Sequence, residues 1–160
     1  MKAPFGSWKS PITSELIVAD TVGISSPAWH QGELLWIESR PQEGGRNVLV
    51  MREQDGSERD INPAPFNIRT RVHEYGGGAW FLHHGAVFFS NFSDQHLYRQ
   101  GLDETAPTQL THDDGLRFAN GCIDEKRNRI VCVIEDHRGD GEAVNFIGAV
   151  DLRSGDVTEL

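Results

Sequence analysis

The chain has 160 residues, 38% of them hydrophobic and 24% charged, with a formal net charge of −9. That is enough chain to bury one core and too apolar a composition for a disordered protein. The acidic balance excludes a nucleic-acid surface, which needs clustered Lys and Arg against phosphate, and reads instead as solubilising surface charge.

Residues 1–25 form a lead segment. Met1 to Trp8 lacks the apolar core of a secretory signal, and no apolar run approaches the roughly 18 residues of a membrane span. A cytoplasmic protein without membrane partners is the expectation. Ser10-Pro11-Ile12-Thr13 reads as a helix start, with Pro11 near the first helical position and Glu15 in the first turn. The run Leu16-Ile17-Val18-Ala19 behind it fits helix or strand equally.

From residue 26 onward the chain repeats one plan over 26–63, 76–114 and 115–160. Each unit offers an apolar strand, a polar turn, a second apolar strand, another turn and a short closing strand. In the first, Leu34-Leu35-Trp36-Ile37 and Asn47-Val48-Leu49-Val50-Met51 are strands, and Asp55-Gly56 is a hairpin signal. Pro63 and Pro65 stop further pairing. In the second, Ala79-Trp80-Phe81-Leu82 turns at His84-Gly85 into Val87-Phe88-Phe89-Ser90, followed by His96-Leu97-Tyr98-Arg99. The third places Gly121-Cys122-Ile123, Ile130–Ile134 and Phe146–Val150 before the turn Arg153-Ser154-Gly155-Asp156.

The second-strand cores begin at Leu34, Val87 and Ile130, 53 and 43 residues apart. The insert 64–75 accounts for most of the difference. Four-stranded units at about 40–50 residues are the signature of a β-propeller, and runs apolar on consecutive positions suit strands covered on both faces. A β-sandwich fits the strand spacing but not the repeated plan. The fold class is therefore all-β: about three blades of a propeller. Rings close with about 4–8 blades, so three are part of a larger protein. The last blade's open edge invites strand pairing with another copy.

Cys122 and Cys132 flank a turn and match no disulfide framework or zinc spacing; two buried free thiols are expected. No Gly-x-Ser-x-Gly nucleophile elbow occurs, so no catalytic residue is assigned. Neighbouring strand residues point to opposite faces, so His83 and His84 are read as polar turn residues unable to share an ion. The acid pairs Asp113-Asp114 and Glu135-Asp136 lack the spacing of a calcium loop. No metal or cofactor is expected. The densest segment is Arg69–Gly78. Its glycines lead into a strand, not a helix N-terminus, which argues against phosphate binding and for a blade crossover braced by an Arg71–Glu74 pair. Glu135 and Asp136, ending a strand, are the candidate acids for a peptide's amino group; a solvated loop is the plainer reading.

Three strings carry a resemblance: Phe5-Gly6-Ser7-Trp8-Lys9-Ser10-Pro11-Ile12-Thr13, Arg71-Val72-His73-Glu74-Tyr75-Gly76-Gly77-Gly78, and Phe89-Ser90-Asn91-Phe92-Ser93-Asp94-Gln95-His96-Leu97-Tyr98. Together they look like the N-terminal part of a prolyl-oligopeptidase (S9) family serine peptidase, nearest its dipeptidyl aminopeptidase/acylaminoacyl-peptidase branch. The resemblance implies a propeller gating short peptides into a C-terminal α/β-hydrolase domain whose triad lies outside these residues. Arg71, His73, Glu74, Tyr75, Gly76, Gly77 and Gly78 are then structural motif residues. The competing reading is a non-enzymatic propeller-like module presenting loops to a protein partner. A sugar-active propeller enzyme would require carboxylates converging on the channel.

Overall fold

The computed structural model describes residues 4–13, 16 and 21–160. Leu16 is helical and its amide donates to Thr13 Oγ1 at 3.1 Å, the bond of a helix cap. The other residues of the Leu16–Ala19 run lie outside the described residues.

Among the described residues, twelve strands form three four-stranded antiparallel sheets. The first holds β1 (Gly23–His30), β2 (Glu33–Arg40), β3 (Arg46–Arg52) and β4 (Glu58–Asp60). The second holds β5 (Trp80–His83), β6 (Ala86–Ser90), β7 (Leu97–Gly101) and β8 (Thr108–Gln109). The third holds β9 (Leu116–Asp124), β10 (Arg129–Asp136), β11 (Val144–Asp151) and β12 (Val157–Glu159). Strands follow chain order within every sheet, as in propeller blades.

The middle sheet explains the continuous apolar runs. All five residues of β6 are buried. Its Val87 and Phe89 join Leu35, Ile37, Leu49 and Met51 of the first sheet in one core. Its Ala86 and Phe88 join Phe118, Ile130, Ile134 and Val150 of the third in another. Each buried Val, Leu, Ile, Phe or Met among them contributes about 1.5–3 kcal/mol on burial. The innermost strands approach closely: a Cβ on Gly121 of β9 would lie 2.3 Å from Phe81 Cε1 of β5.

The far face of the third sheet has no such cover. Val133 and Ile147 pair across β10 and β11 there, and Ile147 remains 52% exposed. No helix among the described residues is long and apolar enough to cross a membrane.

The two cysteines differ, contrary to the expectation of two buried thiols. Both are free, but Cys122 is exposed and Cys132 buried. They sit on adjacent strands, where a bulge between Val131 and Val133 shifts the β9 register. Burial pushes the Cys132 thiol up to about 12. An alkylating reagent at neutral pH should therefore modify Cys122 and spare Cys132 in the native chain, as read by intact mass and peptide mapping. Equal labelling of both would contradict this packing.

Candidate functional site

Because successive strands alternate in direction, each sheet's loops segregate to two ends. The crossovers 61–79 and 110–115 share one end with the β2–β3, β6–β7 and β10–β11 connections. The β1–β2, β5–β6 and β9–β10 hairpin turns occupy the other end.

At the crossover end, side-chain amides do the work of backbone pairing. Buried Asn62 accepts the Leu49 amide at 2.7 Å and donates to the Phe66 carbonyl at 2.8 Å. Asn67 Oδ1 accepts the Asn47 amide, and Asn91 Oδ1 accepts the Asn67 amide. Gln95 Oε1 accepts the Arg71 amide at 2.7 Å, while its Nε2 donates to the Phe92 carbonyl. The Ser90–Gln95 loop thus holds the crossover residue by residue. The guanidinium groups of Arg69 and Arg71 lie 4.9 and 4.3 Å from the Phe92 ring centroid. Such cation–π contacts contribute about 0.5–1 kcal/mol at exposed sites.

The Arg71–Glu74 pair expected from sequence does not form. Arg71 lies over Phe92, and Glu74 instead pairs with Arg117 of β9 at 2.9 Å. The reason is backbone shape: His73 and Glu74 are both left-handed, at φ 55° and 60°, which turns Glu74 toward the third sheet. Val72 is buried beneath this turn and Tyr75 stands 99% exposed at its tip.

The three glycines answer to different demands. Gly76 has φ +83°. Gly77 and Gly78 are needed for close approach, because a Cβ on Gly78 would meet Asn120 Oδ1 at 2.5 Å and one on Gly77 would meet Ala119 Cβ at 3.0 Å. Asn120 exchanges two bonds with Gly78, its Oδ1 and its amide each at 2.8 Å.

Glu135 is the centre of this end. It is only 4% exposed, yet it accepts the His73 amide, Arg117 at 3.1 Å and the His137 ring. Burial alone would raise its carboxyl. The His73 amide, the His137 ring and the Arg117 charge outweigh burial, and the group ends below the usual carboxylate range.

The structure does not bring Glu135 and Asp136 together as an acid pair. Neighbours on β10, they point to opposite faces; Glu135 is filled by protein donors, and Asp136 takes a two-pronged bond from Arg138, at 2.9 and 2.7 Å. The sequence alone singles out neither Arg117 nor Asn120, whose partners lie up to 46 residues away. The local signal is that Arg117 and Glu135 are charged residues directly beside apolar ones, Leu116 and Phe118 in β9 and Ile134 in β10.

A polar cleft of about 200 Å³ opens beside the crossover, lined by Ser26, Asn47, Arg69, Thr70, Tyr75 and Gly77 among others. It is smaller than the roughly 300–1,000 Å³ of ordinary ligand pockets.

At the opposite end, the β5–β6 turn meets the 3-10 turn Glu125–Arg127. His83 and His84 both direct Nε2 at Glu125 Oε1, at 3.3 and 2.9 Å. Their expected divergence fails because only His83 is in the strand. His84 has left-handed φ +45°, and that turn folds its ring to 4.1 Å from its neighbour's.

No family model and no curated protein matches the chain. Solved structures do. Over 99% of its length the chain superposes on a Ser→Ala variant of puromycin hydrolase complexed with PGG, with a TM-score of 0.84 and 32% identity. A second puromycin hydrolase structure gives 0.82 and 32%. This chain is similar to about a quarter of a puromycin hydrolase. A puromycin-hydrolyzing peptidase of Mycobacterium tuberculosis matches at 0.81 and 31%, again over 99% of this chain. In each case the match spans 27% of the larger chain, so all three sheets find counterparts inside a peptidase nearly four times as long. The Glu135 cluster and the crossover it clamps lie within the matched span.

Proposed function

We propose that this chain is the N-terminal propeller portion of a prolyl-oligopeptidase (S9) family serine peptidase. Its branch is the dipeptidyl aminopeptidase/acylaminoacyl-peptidase one, and the enzyme acts in the cytoplasm. The observation that carries the reading is the 32% identity to puromycin hydrolase across all three sheets. The resemblance of the Arg71–Gly78 and Phe89–Tyr98 strings, now seen to interlock, supports it from the sequence side.

In this reading the triad sits in an α/β-hydrolase domain elsewhere in the longer protein. These residues restrict which substrates reach it: short peptides and aminoacyl amides such as puromycin. The far face of the third sheet, with Val133 and Ile147, receives the next blade. The Glu135 cluster holds the crossover rigid, so that exposed Tyr75 and the polar cleft beside it keep a fixed position at the mouth. A substrate amino group would have to displace Arg138 to reach Asp136, so the acid that binds it lies in another blade.

The test is to express both the 160-residue chain and the product of a reading frame extended beyond residue 160. Each is assayed on puromycin and on aminoacyl p-nitroanilides. The longer product should hydrolyse both and be blocked by a serine-directed fluorophosphonate, while the 160-residue chain is inert. Hydrolysis by the short chain, or none by the long one, would overturn the proposal.

A further inference from the structure

The hairpin-turn end carries a cluster that the peptidase reading does not use. His83 ends β5 of the second sheet and His84 begins its turn, while Glu125 belongs to the β9–β10 turn of the third. We propose that His83, His84 and Glu125 bind a divalent transition-metal ion of the zinc class, which ties the second sheet to the third.

The geometry is close to what such an ion needs. Zinc binds imidazole nitrogen and carboxylate oxygen at about 2.0–2.1 Å, and tetrahedral angles then set donors about 3.3 Å apart. Here the two Nε2 atoms lie 3.3 and 2.9 Å from one carboxylate oxygen. All three donor atoms fall within 4.8 Å of one another. A small movement of the exposed His84 and Glu125 side chains would admit the ion between them. Two imidazoles with one carboxylate suit Zn²⁺, Ni²⁺ or Cu²⁺ and not Mg²⁺ or Ca²⁺, which take oxygen ligands. Three protein donors leave a fourth position for water.

Three structural features set this convergence in place. The left-handed turn at His84 reverses the divergence of adjacent strand residues. The close fit of Phe81 on Gly121 brings β5 beside β9. The 3-10 turn closes with left-handed Asn128, whose amide bonds Glu125 O, fixing where Glu125 begins. Because the ligands come from two sheets, an ion would cross-link them, and binding would stabilise the native packing by mass action.

The experiment uses the tag-free 160-residue chain, stripped with chelator, and titrated with Zn²⁺ by calorimetry and with Co²⁺ by visible absorption. One ion per chain is expected, with intense tetrahedral cobalt bands and a rise in Tm. His84→Ala and Glu125→Gln should each weaken binding at least about tenfold and abolish the Tm rise, whereas His112→Ala, at the other end of the sheets, should bind as the parent does. Both side chains are exposed, so these variants should fold. Undiminished binding by either variant, or no Zn²⁺ binding up to about 1 mM, would overturn the proposal.

Discussion

Replacing Glu135 of β10 with alanine should be among the most damaging single changes at the crossover end. The substitution removes the acceptor shared by the His73 amide, Arg117 and His137. Breaking a buried charge cluster from one side costs about 3–5 kcal/mol, because the remaining partners stay buried without it. Arg117 keeps Glu74 and the Arg71 carbonyl, which places the expected loss near the low end, about 3 kcal/mol. The urea midpoint followed by tryptophan fluorescence would report it, and amide exchange should show the Arg71–Gly76 turn opening first. A loss below about 1 kcal/mol would mean that water or another donor replaces the carboxylate.

The same group predicts a pH response. Its carboxyl lies lower in the folded chain than in the unfolded one. The stabilisation is therefore full above the ordinary Glu value of about 4.3 and drains away as pH falls from there toward the folded value. Glu135→Gln keeps the shape but cannot ionise, so its urea midpoint should start lower at pH 7 and converge on the parent's in acid. Parallel curves at all pH values would remove Glu135 from the acid response.

Gly155→Ala should cost a similar amount for a different reason. Gly155 has φ +77° in the β11–β12 turn, and a Cβ there would lie 2.0 Å from the Leu110 carbonyl oxygen. That obstacle is backbone, and Leu110 is itself held, its amide donating to Leu97 O at 2.8 Å. The left-handed conformation costs alanine about 1 kcal/mol, and overpacking adds about 1–3. Gly44→Ala supplies the control: φ is +69°, but nothing lies within 4 Å of the added carbon. It should cost about 1 kcal/mol alone. Equal losses in the two variants would show that the turn moves freely away from Leu110.

The sheets could be read in the sequence because their information is local. Turn residues such as Asp55-Gly56 and Arg153-Ser154-Gly155-Asp156 sit between apolar runs, and each strand pairs with its chain neighbour. The crossover end was less legible. His73 meets Glu135 across 62 residues of chain, and no spacing rule announces such a pair. Adjacency also misled in two ways. Glu135-Asp136 looked like a pair but diverges on a strand, whereas His83-His84 looked divergent but converges because a strand ends between them. The asparagines of the crossover are polar residues that sequence reading assigns to loops, and only the fold shows them replacing a missing ladder.

The chain-order pairing of strands also bears on synthesis at the ribosome. Every sheet can close using only residues already made, and hairpins form in about 1–10 μs, far faster than translation at about 5–20 residues per second. The Arg71–Gly76 turn emerges early but cannot be locked until Glu135 follows, 62 residues behind His73. That interval is about 3–12 s at those speeds, during which the left-handed His73 and Glu74 have no carboxylate to hold them. A nascent chain paused between the second and third sheets should therefore be cut by protease at this turn, and become resistant once β10 is complete.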